Sequence, residues 1–183
     1  MKKRVCVFLA DGFEEIEGLT VVDLLRRAGI EVTTVSVTKE YTIHGAHGID
    51  VLADKMFDEV EYGEQDMFVL PGGMPGTINL KEHKGLEELL KKFHQKDKYL
   101  AAICAAPSVF GQYGFVNGKK ATCYPGFEEM LEGAQVVKDA VAIDGNIITS
   151  RGMGTAIPFS LSLIEVLNSK EKADEIGKSI LYL

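Results

Sequence analysis

The sequence predicts an α/β fold, a layered sandwich with a mostly parallel central sheet and helices on both faces. Short runs of β-branched and apolar residues recur along the chain, and segments with the apolar spacing of an amphipathic helix lie between them. Glycines and prolines separate many of these segments. Strands that alternate with helices of this length form parallel βαβ units, whose sheets are covered on both faces.

The first third of the chain begins with a β-branched, apolar strand over Lys3–Leu9. Glu15–Ala28 follows as a helix that ends at Gly29, a C-cap glycine. Its apolar residues recur at helical spacing, at Ile16, Leu19, Val22, Leu24 and Leu25. Glu31–Val37 is the second strand, and Thr42–Asp54 has glycines between short apolar pieces, which is typical of a hairpin.

The middle third contains two fully apolar strands, Met67–Leu70 and Tyr99–Ile103. The turn Pro71-Gly72-Gly73 ends the first of them. Gly85–Lys96 has one apolar and one charged face and is predicted to be a helix, as is Ala105–Tyr113.

The last third contains strands over Lys120–Cys123 and Val141–Thr149, the second interrupted by a turn at Asp144-Gly145-Asn146. Gly154–Leu167 is a long apolar helix and Lys170–Lys178 a polar one. Because no linker or repeat interrupts this order, we expect residues 1–183 to form a single domain.

The composition excludes several classes of protein. The chain has 183 residues and a net charge of −7, with its Lys and Arg dispersed, which argues against a nucleic-acid surface. No apolar run reaches the roughly 18 residues of a membrane span. The three widely spaced cysteines fit neither a disulfide framework nor a zinc site. We therefore expect a cytoplasmic protein with no metal, cofactor, nucleic-acid or membrane partner.

Three segments are expected to form one crevice, because ligands bind beyond the carboxyl ends of parallel strands. They are Ala10–Glu17, Pro71–Pro75 and Cys104–Pro107. Cys104 lies where a buried strand meets a helix, which is the geometry of a nucleophile elbow. The start of a helix also stabilises a thiolate. A free cysteine is often simply a small core residue, however, and position alone leaves both interpretations open.

Two neighbours favour the reactive interpretation of Cys104. Gly72 and Gly73 allow a tight turn whose N–H groups could form an oxyanion hole, although Pro-Gly-Gly is also a plain turn. Glu17 could reach the crevice and share a proton with the Cys104 thiol. Glu14 and Glu15 lie at the start of the helix, where the helix dipole favours negative charge, and capping is the plainer role for them. Cys123 lies at another strand end, and packing is the favoured role for it.

Five stretches of the chain resemble the ThiJ/PfpI superfamily, in order and at the family spacing. They are Ala10-Asp11-Gly12-Phe13-Glu14-Glu15-Ile16-Glu17, Arg26-Arg27-Ala28-Gly29, Leu70-Pro71-Gly72-Gly73, Ala101-Ala102-Ile103-Cys104-Ala105-Ala106-Pro107 and Thr149-Ser150-Arg151-Gly152-Met153-Gly154-Thr155. Together they are similar to the DJ-one branch, which contains the parkinsonism-associated deglycase.

The resemblance implies a flavodoxin-like three-layer sandwich of the class I glutamine amidotransferase type, which forms homodimers. It implies that Glu17 is a protonated acid hydrogen-bonded to a Cys104 thiolate, and that the N–H groups of Gly73 and Ala105 face the same pocket. The cysteine of such proteins oxidises readily to a sulfinate. Further candidate pocket residues are Gly72, Arg27, Tyr124 and Cys123.

The resemblance also bears on function. It implies a cysteine-dependent enzyme that acts on small α-oxoaldehydes or their glycation adducts, as a glutathione-independent glyoxalase or deglycase with a stress-protective role. The alternatives are a redox sensor or chaperone-like stress protein without turnover, and a superfamily member with another substrate. The label of thiazole monophosphate biosynthesis protein is a name that relatives inherit.

Three departures from the wider superfamily narrow these possibilities. Proteolytic relatives carry a histidine directly after the nucleophile, and Ala105 at that position argues against a peptidase. Amidotransferase relatives use a late His-x-Glu pair, and no histidine follows His94. The best-known animal member has a histidine at the position of Tyr124, so Glu17 is left as the acid–base group.

Overall fold

The computed structural model describes residues 2–183 and places a seven-stranded sheet at the centre of the molecule. The strands are β1 (Arg4–Leu9), β2 (Glu31–Ser36), β3 (Thr42–His44), β4 (Asp50–Leu52), β5 (Lys55–Met56), β6 (Met67–Leu70), β7 (Tyr99–Ile103), β8 (Lys120–Ala121), β9 (Gln135–Val136), β10 (Val141–Asp144) and β11 (Ile147–Ser150). The helices are α1 (Glu15–Arg27), α2 (Gly76–Glu82), α3 (Lys84–His94), α4 (Pro107–Gln112), α5 (Ala156–Leu167) and α6 (Lys170–Ser179).

The strand order in the central sheet is β10-β11-β7-β6-β1-β2-β5. All neighbours are parallel except β10 and β11, which form an antiparallel hairpin at one edge. The carboxyl ends of β1, β6 and β7 therefore lie side by side, and the loops that follow them meet above the middle of the sheet.

Two hydrophobic cores cover the two faces of the sheet. In β1, Val5, Val7 and Leu9 join the core beneath α1, α5 and α6, while Cys6 and Phe8 join the core beneath α2, α3 and α4. This alternation is the period of two that a strand buried on both faces requires. It confirms the predicted α/β sandwich.

Several predicted elements differ from the observed ones. The helix α2 was not predicted, because its seven residues begin with Gly76 and contain weak helix formers such as Thr77 and Asn79. The predicted strand Lys120–Cys123 is shortened to β8, which pairs with β9 in a separate two-stranded sheet. The predicted helix Ala105–Tyr113 is reduced to the six residues of α4.

The hairpin predicted over residues 42–54 is confirmed, with β3 paired antiparallel to β4. It lies against the loop after β1, because the Gly12 N–H donates to the carbonyl of His44 at 2.7 Å and the Ala46 N–H donates to that of Phe13 at 2.9 Å. Among residues 2–183, no helix combines the length and the apolar character that crossing a membrane requires.

Candidate active site

The structure brings together the three segments that follow β1, β6 and β7. The Glu14 N–H donates to the carbonyl of Gly72 at 2.9 Å, and the Gly72 N–H donates to Oε2 of Glu17 at the same distance. The Glu17 carboxyl in turn forms a hydrogen bond with the Cys104 thiol. The crevice expected from the strand order therefore contains a cysteine and a carboxylic acid in direct contact.

Cys104 has an unusual backbone conformation. Its φ of 66° lies in the left-handed region, where non-glycine residues carry strain of about 1–3 kcal/mol. Hydrogen bonds fix the residue on both sides, since its N–H donates to the carbonyl of Ser150 at 3.0 Å and its carbonyl accepts from the Tyr124 N–H at 2.8 Å. The strained turn holds the thiol at the end of β7, partly exposed to solvent, as in a nucleophile elbow.

The two glycines after β6 are required for the close approach of the three segments. A Cβ atom at Gly72 would lie 2.6 Å from Cβ of Cys104 and 2.7 Å from Oε2 of Glu17. Gly73 has a φ of 92°, and a side chain there would collide with the backbone of residues 12–14. Together with Ala105, Gly73 directs a backbone N–H at the sulfur. These donors could stabilise negative charge on the sulfur or on an oxygen bound next to it.

Glu17 and Cys104 share protons in a buried setting. Glu17 is only 1% exposed, and burial raises its pKa from the ordinary 4.5 to about 7, although hydrogen bonds with Cys104 and Gly72 act in the opposite direction. Once Glu17 is ionised, burial and its negative charge raise the pKa of Cys104 to about 12. The pair therefore holds one proton between about pH 7 and pH 12.

This result differs from the expectation that the start of a helix lowers the pKa of the Cys104 thiol. The helix α4 begins three residues later, at Pro107, and its six residues carry only a short dipole. The Gly73 and Ala105 N–H groups lower the pKa of Cys104, but burial and the facing carboxylate outweigh them. Below about pH 12, a thiolate therefore forms here only when the shared proton resides on Glu17.

A groove of about 380 Å³ lies beside this pair. It is lined by the loop after β8 and the loop after β11, at Tyr124, Pro125, Arg151, Gly152, Met153, Gly154 and Thr155. Tyr124 is half exposed, and its ring packs on Gly152, where a Cβ atom would lie 3.2 Å from Cδ2 of the ring. Tyr124, a predicted pocket residue, thus forms one wall of the groove.

Two predicted pocket residues do not line the groove. Cys123 is 3% exposed and packs in the core beneath α2, α3 and α4, whereas Cys104 packs against the opposite core. Burial raises the pKa of Cys123 to about 11. Arg27 lies ten residues along α1 from Glu17, about 15 Å along the helix axis, and forms an exposed ion pair with Asp23 at 2.9 Å.

A histidine that the sequence did not place near the site is found at its edge. His47, in the hairpin turn, donates its N–H to Oε1 of Glu15 at 2.7 Å, and its Nδ1 lies 3.0 Å from Oε2 of Glu15 and 3.4 Å from Glu14. Burial alone would raise the pKa of Glu15, but the hydrogen bonds with His47 lower it. Within residues 2–183 these three side chains are the one group whose ligand atoms are close enough for a metal ion. Glu15 and His47 hold the hairpin against the start of α1.

Arg151 is the other residue that was not singled out. It follows Ser150, the partner of Ile103 in the sheet, and so lies at the carboxyl end of β11 beside Cys104. The rule that ligands bind beyond strand ends, applied to β11 as it was to β1, β6 and β7, would have identified it from the sequence.

Comparison with known proteins assigns this site to a family. The family model described as the DJ-1/PfpI family matches residues 3–166. The chain is 44% identical over 177 residues to protein DJ-1 homolog B of Arabidopsis thaliana, covering 96% of this chain but only 40% of that longer protein. It is 30% identical to the glutathione-independent glyoxalase DJ-1 of Schizosaccharomyces pombe, over 97% of both chains.

A solved structure agrees with these sequence comparisons. Oxidized DJ-1 of Toxoplasma gondii superposes with a TM-score of 0.95 at 38% identity and covers 98% of both chains. The similarity thus extends over nearly the whole chain. The chain belongs to the DJ-1/PfpI family.

Proposed function

We propose that the chain is a cysteine-dependent, glutathione-independent glyoxalase that converts small α-oxoaldehydes into 2-hydroxy acids. The observation that carries this proposal is the contact between the Cys104 thiol and the buried Glu17 carboxyl, beside two backbone N–H donors. The relative from Schizosaccharomyces pombe that is named a glyoxalase supports the reaction type. Glycation adducts of the same aldehydes are a second class of substrate for the same chemistry.

The first step is addition to the aldehyde. With the shared proton on Glu17, the Cys104 thiolate attacks the aldehyde carbon, a C–S bond forms, and the carbonyl π electrons move to oxygen. The N–H groups of Gly73 and Ala105 stabilise the developing oxyanion, which then takes the proton of Glu17. The product is a hemithioacetal on Cys104 and an ionised Glu17.

The second step is an internal redox isomerisation. The Glu17 carboxylate removes the proton from the carbon bonded to sulfur, and the electron pair moves to form an enediol. Return of a proton to the neighbouring carbon gives a thioester of a 2-hydroxy acid. One carbon is oxidised and its neighbour is reduced, so no external oxidant is required. Water then hydrolyses the thioester and restores the thiol.

Burial supports Glu17 as the proton carrier of both steps. A carboxyl with a pKa of about 7 is present in its acid and its base form near neutral pH, which suits a group that must both give and take a proton. No histidine within residues 2–183 forms a hydrogen bond with Cys104, so we assign the proton transfers of both steps to the Glu17 carboxyl.

The test is conversion of methylglyoxal to lactate by the purified chain without glutathione. We expect lactate formation by the wild type and its loss in Cys104→Ala, with Cys123→Ala as the matched control because that thiol lies in the core. A Cys104→Ala variant that forms lactate at the wild-type rate would overturn the mechanism.

A second candidate function is a redox sensor. Cys104 is partly exposed, whereas Cys6 and Cys123 are buried in the core, where a dissolved oxidant does not reach their sulfur atoms. The relative from Toxoplasma gondii is described as oxidized. Mild peroxide followed by mass spectrometry of peptides is expected to find sulfinate at Cys104 alone. Equal oxidation of all three cysteines would argue against a sensor.

A further inference from the structure

The groove beside Cys104 contains an arginine whose role the proposed chemistry does not explain. Arg151 lies between Ser150, which contacts Cys104, and Gly152, which lies near Glu17. The carbonyl of Ser150 accepts the Cys104 N–H at 3.0 Å, and a Cβ atom at Gly152 would lie 3.9 Å from Oε1 of Glu17. Arg151 lines the groove itself. Arg151 is thus the next residue in the chain to both of these neighbours of the reactive pair.

The guanidinium of Arg151 is incompletely satisfied. Its Nε atom is buried and makes no hydrogen bond with any of residues 2–183. The charge of Arg151 acts on two groups, the buried thiol of Cys123 and the carboxylate of Glu128. The pKa of Glu128 is lowered first by backbone hydrogen bonds, however, and its Oε2 accepts the Gly126 N–H at 2.6 Å. Buried N–H donors are seldom left unpaired, because the lost hydrogen bonds to water are not replaced.

The remaining walls of the groove are mostly apolar. Tyr124 is 50% exposed and Met153 51%, and Pro125, two glycines and Thr155 complete the surface. A single guanidinium in an apolar groove of about 380 Å³ suits a small organic anion. Its planar fork of N–H donors matches a carboxylate.

We propose that Arg151 binds the carboxylate of small 2-hydroxy acids and of α-oxoaldehydes that bear a carboxyl group, and so determines substrate specificity. This inference rests on the proposed function, because the ligand is placed next to the Cys104 nucleophile. Hydrolysis of the thioester breaks the C–S bond and turns the carbon that was bonded to the sulfur into a carboxylate, so the same cation holds the product as it is released. Arg151 is a specificity-determining residue and takes no proton in the reaction.

The test compares a carboxylate with its neutral amide, in the absence of turnover. Mandelate and mandelamide have the same ring and hydroxyl group and differ in charge. Each is titrated as a protectant of Cys104 against iodoacetamide, and alkylation is followed by mass spectrometry. We expect the wild type to bind mandelate at least about tenfold more tightly than mandelamide, as a charge-assisted hydrogen bond predicts.

The variants assign this preference to one side chain. Arg151→Met, which keeps the volume and removes the charge, is expected to bind both compounds equally. Arg151→Lys, which keeps the charge and loses the planar fork, is expected to retain part of the preference. Lys138→Met is the matched control, because it removes an exposed cation that also acts on Glu128, and it should bind as the wild type does.

Two results would overturn the inference: a wild type that does not distinguish mandelate from mandelamide, or an Arg151→Met variant that still prefers mandelate. If Arg151→Met does not fold by circular dichroism, a lysine variant with the full wild-type preference for mandelate would overturn it instead. Methylglyoxal turnover is measured separately on the same preparations. Loss of the preference for mandelate with normal turnover rejects the inference alone, and absence of turnover with the preference intact rejects only the proposed function.

Discussion

Replacement of Gly72 by alanine tests whether the close approach of three strand ends creates the site. The added Cβ atom would lie 2.6 Å from Cβ of Cys104, 2.7 Å from Oε2 of Glu17 and 2.9 Å from the carbonyl oxygen of Ile103. Relaxed carbon–carbon contacts are about 3.5 Å or longer. The reactive pair must therefore move by roughly 1 Å to make room for one methyl group.

The expected magnitudes follow from this displacement. Overpacking of a tight core costs about 1–3 kcal/mol. For a chain of this size each kcal/mol lowers the melting temperature by about 2–4 °C, so Gly72→Ala should melt about 2–12 °C below the wild type. A 1 Å misplacement of reacting groups reduces the rate about 100-fold, and lactate formation from methylglyoxal should fall by that factor.

Thermal unfolding by circular dichroism and the lactate assay measure the two effects on one preparation. Gly63→Ala is the matched control, because Gly63 is exposed and no atom lies within 4 Å of the added Cβ. It should change stability by less than about 0.5 kcal/mol. A Gly72→Ala variant with the melting temperature and the rate of the control would refute the close approach at Gly72.

Three further predictions concern the proton shared by Glu17 and Cys104, the apolar surface of α1 and the buried thiol of Cys6. Because the pKa of Cys104 is raised by burial and also by the negative charge of Glu17, Glu17→Gln should lower the pKa at which Cys104 is alkylated and raise the alkylation rate near neutral pH. An alkylation pKa that is unchanged or higher in Glu17→Gln would show that the shared proton resides on Glu17 and not on the sulfur. We propose that α1 forms the homodimer interface, because Ile16 and Leu19 are 50% and 37% exposed, so Ile16→Glu should halve the mass found by light scattering, and an unchanged mass would contradict it. Burial raises the pKa of Cys6 from 9.0 to about 12, so this thiol contributes stability that is complete below pH 9 and is lost as the pH rises towards 12, by about 3 kcal/mol between pH 8 and pH 11. Cys6→Ala should reduce that loss in urea unfolding, and an equal loss in both proteins would show that Cys6 does not cause it.

Much of the fold could be predicted because the strands are apolar on both faces. Met67–Leu70 and Tyr99–Ile103 coincide with β6 and β7, and the order of these strands placed the crevice correctly. Short elements were missed or overextended, because α2 and β8 are held by tertiary contacts and have little propensity of their own.

The candidate site was predictable only in part, since its members come from distant parts of the sequence. Cys104 could be found from the turn that follows one predicted strand, and Glu17 from its position at the start of the helix that follows another. His47 could not, because it reaches Glu15 only when the hairpin folds back onto the loop after β1. The pKa of Cys104 is raised and not lowered, mainly because the thiol is buried, and the spacing of residues in the sequence does not show how deeply a side chain is buried.

The first turn of α1 has the reverse of the pattern that a surface helix normally shows. Its acids, Glu15 and Glu17, are 3% and 1% exposed, whereas its apolar residues, Ile16 and Leu19, face solvent in the isolated chain. Burying an ionisable group is unfavourable unless it is hydrogen-bonded, and both acids are bonded, to His47 and to Gly72. Helical spacing therefore predicted the helix correctly, although Ile16 and Leu19, two of the apolar residues that define the spacing, are not buried. A mismatch between the polarity of residues and their burial is expected at functional sites. In the first turn of α1 this mismatch places the proposed proton carrier, Glu17, next to the apolar surface proposed for dimerisation.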